Sequence, residues 1–261
     1  MRSLAIAATG MLAQQLNVEV ISNNIANLNT TAFKSQRAEF QDLLYQTERA
    51  AGANSSDSGT VVPVGVQIGT GVKAAAVYRL TTQGNLNNTN NPLDVAIQGR
   101  GYFQVLMPDG TTSYTRAGSM QLSPTGQLVT ADGYTVQPSI TIPANTTSIT
   151  INANGQVLAQ VAGQNGQTTV GQLELATFPN EAGLTQQGNN LLAETAASGT
   201  ATTGNPGSTS FGTLQQGFLE TSNVNIVSEI SNLITAQRAY EMNSKVIQTS
   251  DQMMSTLNQI Q

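Results

Sequence analysis

The 261-residue sequence predicts an α+β fold, with long N- and C-terminal helices packed as a coiled coil and a central antiparallel β domain between them. Apolar residues recur at three- and four-residue spacing near both ends of the chain, the period of a helix with a buried stripe. The region between them reads as short alternating runs divided by Gly, Pro, Asn and Asp, the pattern of hairpins. Stretches rich in small and hydroxyl-bearing residues separate the two patterns.

Leu4, Ala8, Met11, Leu12 and Leu16, followed by Ile21, Ile25 and Leu28, trace a stripe on one helix running from about residue 3 to about residue 28. The opening "MRSLAIAATGMLAQQ" has the outline of a secretory signal, one positive charge and then an apolar run. The apolar periodicity continues past any plausible cleavage point, so an uncut amphipathic helix is expected instead. "NNIANLNTTAF" closes it, because Asn and Thr side chains bond their own backbone and favour helix ends and turns over ligand binding. "SQRAEFQDLLYQ" places Phe40, Leu43 and Leu44 at helical spacing and predicts a short second helix. "AAGANSSDSGTVVPVG" predicts an extended loop.

From Val66 to about Phe178 the runs "LDVAIQ", "GYFQVLM", "QLVTADGYTVQ", "SITIN" and "QLELATF" predict strands. Turn signals at Pro108-Asp109-Gly110, Pro124-Thr125-Gly126, Asp132-Gly133 and Asn154-Gly155 imply that neighbours pair antiparallel. "AETAASGTATTGNPGSTSFG" predicts a flexible return segment. Helical spacing resumes near Val224. One row holds Ala239, Met242, Val246, Thr249, Met253, Leu257 and Ile260, and a second holds Ile226, Ile230, Leu233, Tyr240, Ile247 and Met254.

Two adjoining rows are too wide for one companion helix. The roughly 38 residues from Val224 span about 57 Å at about 1.5 Å each, more than the N-terminal helix can cover. An exposed apolar strip of that length marks an interface. Either a closed dimer through a terminal coiled coil or open-ended stacking would satisfy it. The expected division is residues 1–30 and 224–261 as a terminal helical domain, 31–71 as a connecting segment with a short helix and extended loop, and 72–223 as the β domain.

Composition narrows the function. Charged residues make up 10%, against about a quarter in an average soluble domain. Polar amides and hydroxyls replace them, groups that tolerate loss of water far better than unpaired charges. The net charge of -5 offers no basic field for nucleic acid. The absence of Cys and His removes thiol and imidazole chemistry and the usual zinc and haem ligands, so no cofactor or metal is expected. No stretch is read as a membrane-spanning run, and no membrane insertion is expected. Asp94, set among apolar residues in "NPLDVAIQGRG", is expected to be a structural ion pair with Arg100 or a turn ligand. "GTGVKA" opens no helix and is discounted as a nucleotide fingerprint. No pair of carboxylates suggests acid and base roles, so the chain is not expected to be an enzyme.

"NIANLNTTAFK", Asn24 to Lys34, resembles the N-terminal signature of bacterial flagellar rod and hook proteins, and "QRAYEMNSKVIQTSDQM", Gln237 to Met253, resembles their C-terminal signature. "NPLDVAIQGRGYFQV", "PDGTTSYTRAGS", "GQLVTADGYTVQP" and "LETSNVN" are most similar to the distal rod members, and the likeness covers essentially the whole chain. Ala32 stands where glycine is common, and Met120 where an aromatic residue is common.

The resemblance implies a structural subunit of the distal rod. Its terminal helices would form an inner tube and its β domain would project outward, in a rigid hollow shaft that carries torque from motor to hook. Implied partners are further copies in a helical homopolymer, proximal rod subunits, the hook protein, the surrounding P and L rings, the rod cap and the flagellar type III export apparatus. The implied location spans the periplasm, reached without a cleavable signal. A hook or proximal rod subunit is the alternative within the family, and a secreted β-rich adhesin or enzyme the alternative outside it. The expected subunit interface is Leu4, Met11, Leu12, Leu16, Ile21, Ile25, Leu28 and Phe33 near the N-terminus, with Ile230, Leu233, Tyr240, Met242, Val246, Ile247, Met253, Leu257 and Ile260 on the closing helix.

Overall fold

Residues 2–52, 63–163 and 166–260 are described by a computed structural model, without the side chains at 257, 258 and 260. Part of the loop expected over 50–65 therefore lies outside the described residues. The chain divides into two units, one of residues 1–26, 36–79 and 225–261, the other of residues 27–35 and 80–224.

The first unit holds α1 (Arg2–Ala26), β1 (Gln36–Asp42), β2 (Tyr45–Arg49), β3 (Val66–Gly69), β4 (Val72–Arg79) and α2 (Ile226–Ile260). Asn225 caps α2: its Oδ1 accepts the Val227 amide at 3.1 Å and the Ser228 amide at 3.2 Å, satisfying two donors that a helix start leaves unpaired. Near the end of α1 the Asn24 side chain is buried and meets the Gln36 backbone twice, accepting its amide at 2.8 Å and donating to its carbonyl at 2.9 Å. The Asn cluster thus serves as the helix end and turn expected of it.

The expected short helix over "SQRAEFQDLLYQ" is replaced by strands. β1 pairs antiparallel with β4, with a bulge at Glu39/Phe40, and β2 pairs antiparallel with β3. Ala38 and Phe40 turn toward the more covered side while Arg37, Glu39 and Gln41 face solvent, a period of two. The Phe40, Leu43, Leu44 spacing fits both periods, and pairing with a β-branched, Ala-rich strand far along the chain decides between them.

α1 also corrects the membrane reading. It is 25 residues long with a window of mean hydropathy 1.3, which meets the length and composition of a membrane span. Alanine and one apolar stripe raise that mean, while Gln14, Gln15, Asn17 and Glu19 sit mid-helix.

The second unit begins with the turn of residues 27–35 and continues through β5 (Leu86–Asn88), β6 (Val95–Gln98), β7 (Tyr102–Leu106), β8 (Thr112–Thr115), β9 (Met120–Leu122), β10 (Leu128–Thr130) and β11 (Thr135–Gln137). β12 (Thr146–Ile151), β13 (Gln156–Val161), β14 (Gln167–Gln172), β15 (Leu175–Thr177), β16 (Thr185–Gly188), β17 (Leu191–Ala193), β18 (Thr202–Gly204), β19 (Thr213–Gln216) and β20 (Phe218–Glu220) complete it. The main sheet runs β16-β17-β8-β7-β11-β10-β9, with β15 joining β7 to β18. β12, β13 and β14 form a meander, and β19 and β20 return to pair with β6 and β5. Every pairing is antiparallel. At the four turn sites read from the sequence, Gly110, Gly126, Gly133 and Gly155 take φ of 82, 81, 84 and 85°. Glycine adopts this left-handed region without a side-chain clash.

β7 is covered on both faces, so consecutive residues enter different cores. Phe103 and Val105 are buried, with Phe103 beside Val95, Ile97, Leu128 and Val136. Tyr102 packs instead with Tyr114 and Phe178, whose rings meet edge-on at 4.8 Å. The expected flexible return segment is corrected too. It supplies β18, and its Ser198 is fully buried, accepting the Thr195 amide at 2.9 Å and donating to the Thr195 carbonyl at 2.9 Å. Hydroxyl-backbone bonds of this kind shape a loop that composition alone reads as loose.

Asp94 is a turn ligand. It accepts Thr89 Oγ1 at 2.7 Å and Asn91 Nδ2 at 3.0 Å. Arg100 is not its ion-pair partner: it binds Glu181 at 2.9 Å and the Phe178 carbonyl at 3.3 Å.

The second unit also buries one carboxylate between two cations, which sequence reasoning missed because the three residues are far apart in the chain. Glu220 Oε1 meets Lys34 Nζ at 2.5 Å and Oε2 meets Arg116 Nε at 2.5 Å. Burial pushes the Glu220 carboxyl up, but Arg116 and Lys34 outweigh it and hold it below the usual carboxylate range. Burial pushes Lys34 below its ordinary value, against the opposing pull of Glu220.

Candidate assembly interface

α1 and α2 meet through small side chains. Ala7, Ala13, Ala236 and Ser250 are buried, and Ser3 Oγ lies 3.5 Å from Ser250 Oγ. A Cβ added at Gly10 would stand 2.8 Å from Asn243 Nδ2. Ala236, Asn243 and Ser250 follow one another at intervals of seven, so one narrow side of α2 faces α1.

The bulky apolar residues stay outside. Leu12 is 67% exposed, Met242 66% and Met253 59%. Ile230, Tyr240 and Val246 are also exposed, while Leu233 and Ile247 are half-buried. On α1, Leu4, Met11, Leu16 and Ile25 are half-buried and Ile21 is buried within the subunit. Leu28 and Phe33 belong to the other unit and are half-buried there. Leu257 and Ile260 lie outside the described side chains. Sequence reasoning missed Ile6, Val227 and Ile234 as exposed apolar positions. Spacings of three and four link Val227, Ile230 and Ile234, the signal that extends the row.

On a helical projection Val227, Ile230 and Ile234 fall on the side of α2 away from Ala236, Asn243 and Ser250, while Met242, Val246 and Met253 flank that seam along one edge. A groove of about 610 Å³, lined by residues including Ile6, Ala7, Gly10, Val72, Asn243 and Val246, opens beside this row. Leu44, Tyr45, Val64, Val66 and Ile68 add exposed apolar surface on and beside the β2-β3 ribbon. Among the described residues, no group of three or more acidic side chains stands ready to hold a metal. The arrangement is suited to contact along a surface.

Comparison with known proteins agrees in each region. Residues 4–34 match the family model "Flagella basal body rod protein", residues 96–159 the "Flagellar hook protein FlgE/F/G D1 domain", and residues 215–260 the "Flagellar basal body rod FlgEFG protein C-terminal". The chain is 60% identical over 260 residues to the flagellar basal-body rod protein FlgG of Caulobacter vibrioides, covering 100% of this chain and 99% of that one. The chain belongs to the flagellar basal-body rod protein family. Similarity within this rod family is broad: identity is 54% to FlgG of Agrobacterium fabrum, over 99% of this chain and 98% of that one. It is 40% to FlgG of Bacillus subtilis, over 98% of both. As a rod protein of the FlgG type the chain is a structural subunit of the distal rod of the flagellum, not an enzyme.

Proposed function

We propose that this rod subunit assembles with copies of itself through α1 and α2, in coiled-coil contacts, into a rigid hollow shaft that transmits torque to the hook. The observation that carries this reading is the inverted placement of side chains. Small residues line the α1-α2 seam and most large apolar residues of α2 are exposed, so the pair leaves apolar surface for other chains. A shaft needs several neighbours per subunit in a heterologous, non-closing arrangement, and faces on both helices supply them. The positions expected from the sequence other than the buried Ile21, with Val227 and Ile234 added, are the proposed contacts. Proximal rod subunits, the hook protein, the P and L rings, the rod cap and the type III export apparatus are the further partners proposed, in a rod spanning the periplasm and reached without signal cleavage. The α1 apolar stripe is proposed to lie against protein instead of lipid.

The segment of residues 46–71 is proposed to stiffen the tube. A two-stranded ribbon is marginal alone, and the exposed Tyr45, Val66 and Ile68 of β2 and β3 give it a surface to lay on a neighbour. Deletion of residues 50–65 is expected to leave export intact and to yield curved or overlong shafts; straight rods of normal length would refute the role.

Circular dichroism of dilute protein beside negative-stain microscopy of concentrated or seeded protein tests the whole reading. Chains with nothing to bury these helices against order them only on assembly. Helical signal that rises as straight tubes appear supports it. A fully helical monomer or closed dimer that never polymerises refutes it.

A further inference from the structure

Lys34, Arg116 and Glu220 each lie in a different stretch that marks the family resemblance, and the second unit brings them to one point. Arg116 also donates to the carbonyls of Gly99 at 2.7 Å, Gly101 at 3.1 Å and Ile97 at 3.3 Å, while Lys34 donates to the Thr82 carbonyl at 2.9 Å. The Gly84 amide donates to Glu220 Oε1 at 2.8 Å. Backbone bonds surround the charges: the Ala32 amide donates to the Glu220 carbonyl at 2.8 Å and the Leu80 amide to the Ser35 carbonyl at 2.8 Å. Asn223 ties its own stretch to two others, accepting the Ser35 amide at 2.7 Å, donating to the Leu80 carbonyl at 2.9 Å and giving its own amide to the Phe33 carbonyl at 3.3 Å. The chain leaves this unit after Ser35, enters it at Leu80 and leaves again after Val224.

We propose that residues 32–35, 80–84 and 220–223 form a polar clasp centred on Glu220, which closes the β unit at these three crossings and makes them part of its cooperative core. A buried carboxylate between two cations is tolerated only with its hydrogen-bonding partners in place, so the stretches hold together or separate together. The clasp keeps the points from which the chain runs toward β1, β4 and α2 fixed within the β unit, whether or not those elements are ordered.

Amide hydrogen exchange on the unassembled full chain tests this. The amides of Ala32, Ser35, Leu80, Gly84, Thr221 and Asn223 should exchange within about tenfold of the core amides of Val95 and Leu128. Exchange more than about tenfold faster than that core, following the amides of α1 and α2 instead, overturns the clasp. Lys34→Met leaves Glu220 one cation and the cluster neutral. It should speed exchange at the clasp amides by at least about tenfold while changing Val95 and Leu128 far less. Unchanged clasp amides in that variant would also overturn the proposal, and should it fail to fold, the unmodified chain decides alone.

Discussion

Ala32 has φ of 58°, in the left-handed region where a Cβ crowds the backbone, at a position where the resembling family commonly has glycine. Ala32→Gly is therefore expected to stabilise the β unit by about 0.5–1 kcal/mol after the greater freedom of the unfolded glycine is set against the relieved crowding. The urea midpoint checks it, and a lower midpoint would contradict it. Glu220 titrates below its ordinary value in the folded chain. Its contribution is therefore present above the unfolded carboxylate value, about 4.3, and lost as pH falls through the lower folded value. Glu220→Gln leaves Lys34 and Arg116 without a counter-charge and should cost about 3–5 kcal/mol near neutral pH, while flattening the acid limb of a stability-against-pH curve. Lys34 loses its proton more readily folded than unfolded, so stability rises with pH between the two values. An alkaline loss that Lys34→Met abolishes would contradict that sign.

At the scale of elements, the α1-α2 seam depends on small residues. Ala236 is 2% exposed, and Ala236→Leu would insert three carbons where the helices meet. Overpacking of this kind costs about 1–3 kcal/mol. Assembled tubes of that variant should dissolve at lower denaturant, whereas Met242→Leu, on the outward face, should differ little. Equal effects from both would mean that the seam lies elsewhere. β1 shows why elements were only partly legible. Its Phe40-Leu43-Leu44 spacing fits a helix as well as a strand, and the deciding partner, β4, begins 30 residues after β1 ends, at Val72 against Asp42. The terminal helices and glycine turns were legible because each rests on contacts within a few residues.

For the molecule as a whole, outward bulk on α2 predicts separable folding and assembly. Met242→Asp with Val246→Asp puts charge on exposed positions, where surface substitutions leave stability within about 0.5 kcal/mol. The β-sheet signal and unfolding midpoint of the monomer should therefore be unchanged. Burying those charges against neighbouring copies is costly, so the concentration needed for tubes should rise by at least about tenfold, a loss of about 1.4 kcal/mol per subunit added. Sedimentation and microscopy read it, and normal tubes would remove this face from the interface.

By itself the sequence determined the helical ends, the hairpin turns and the scarcity of reactive side chains, because period, turn chemistry and composition are local properties. It also marked the apolar rows on which assembly is proposed to rest. The tertiary structure alone decided which side of α2 is spent on α1, that residues 36–49 pair as strands, that the return segment joins the sheet, and that Glu220 draws Lys34 and Arg116 into one buried cluster. Those outcomes depend on groups separated by up to 247 residues, and no local pattern encodes a contact whose energy comes from excluding water between distant parts of the chain.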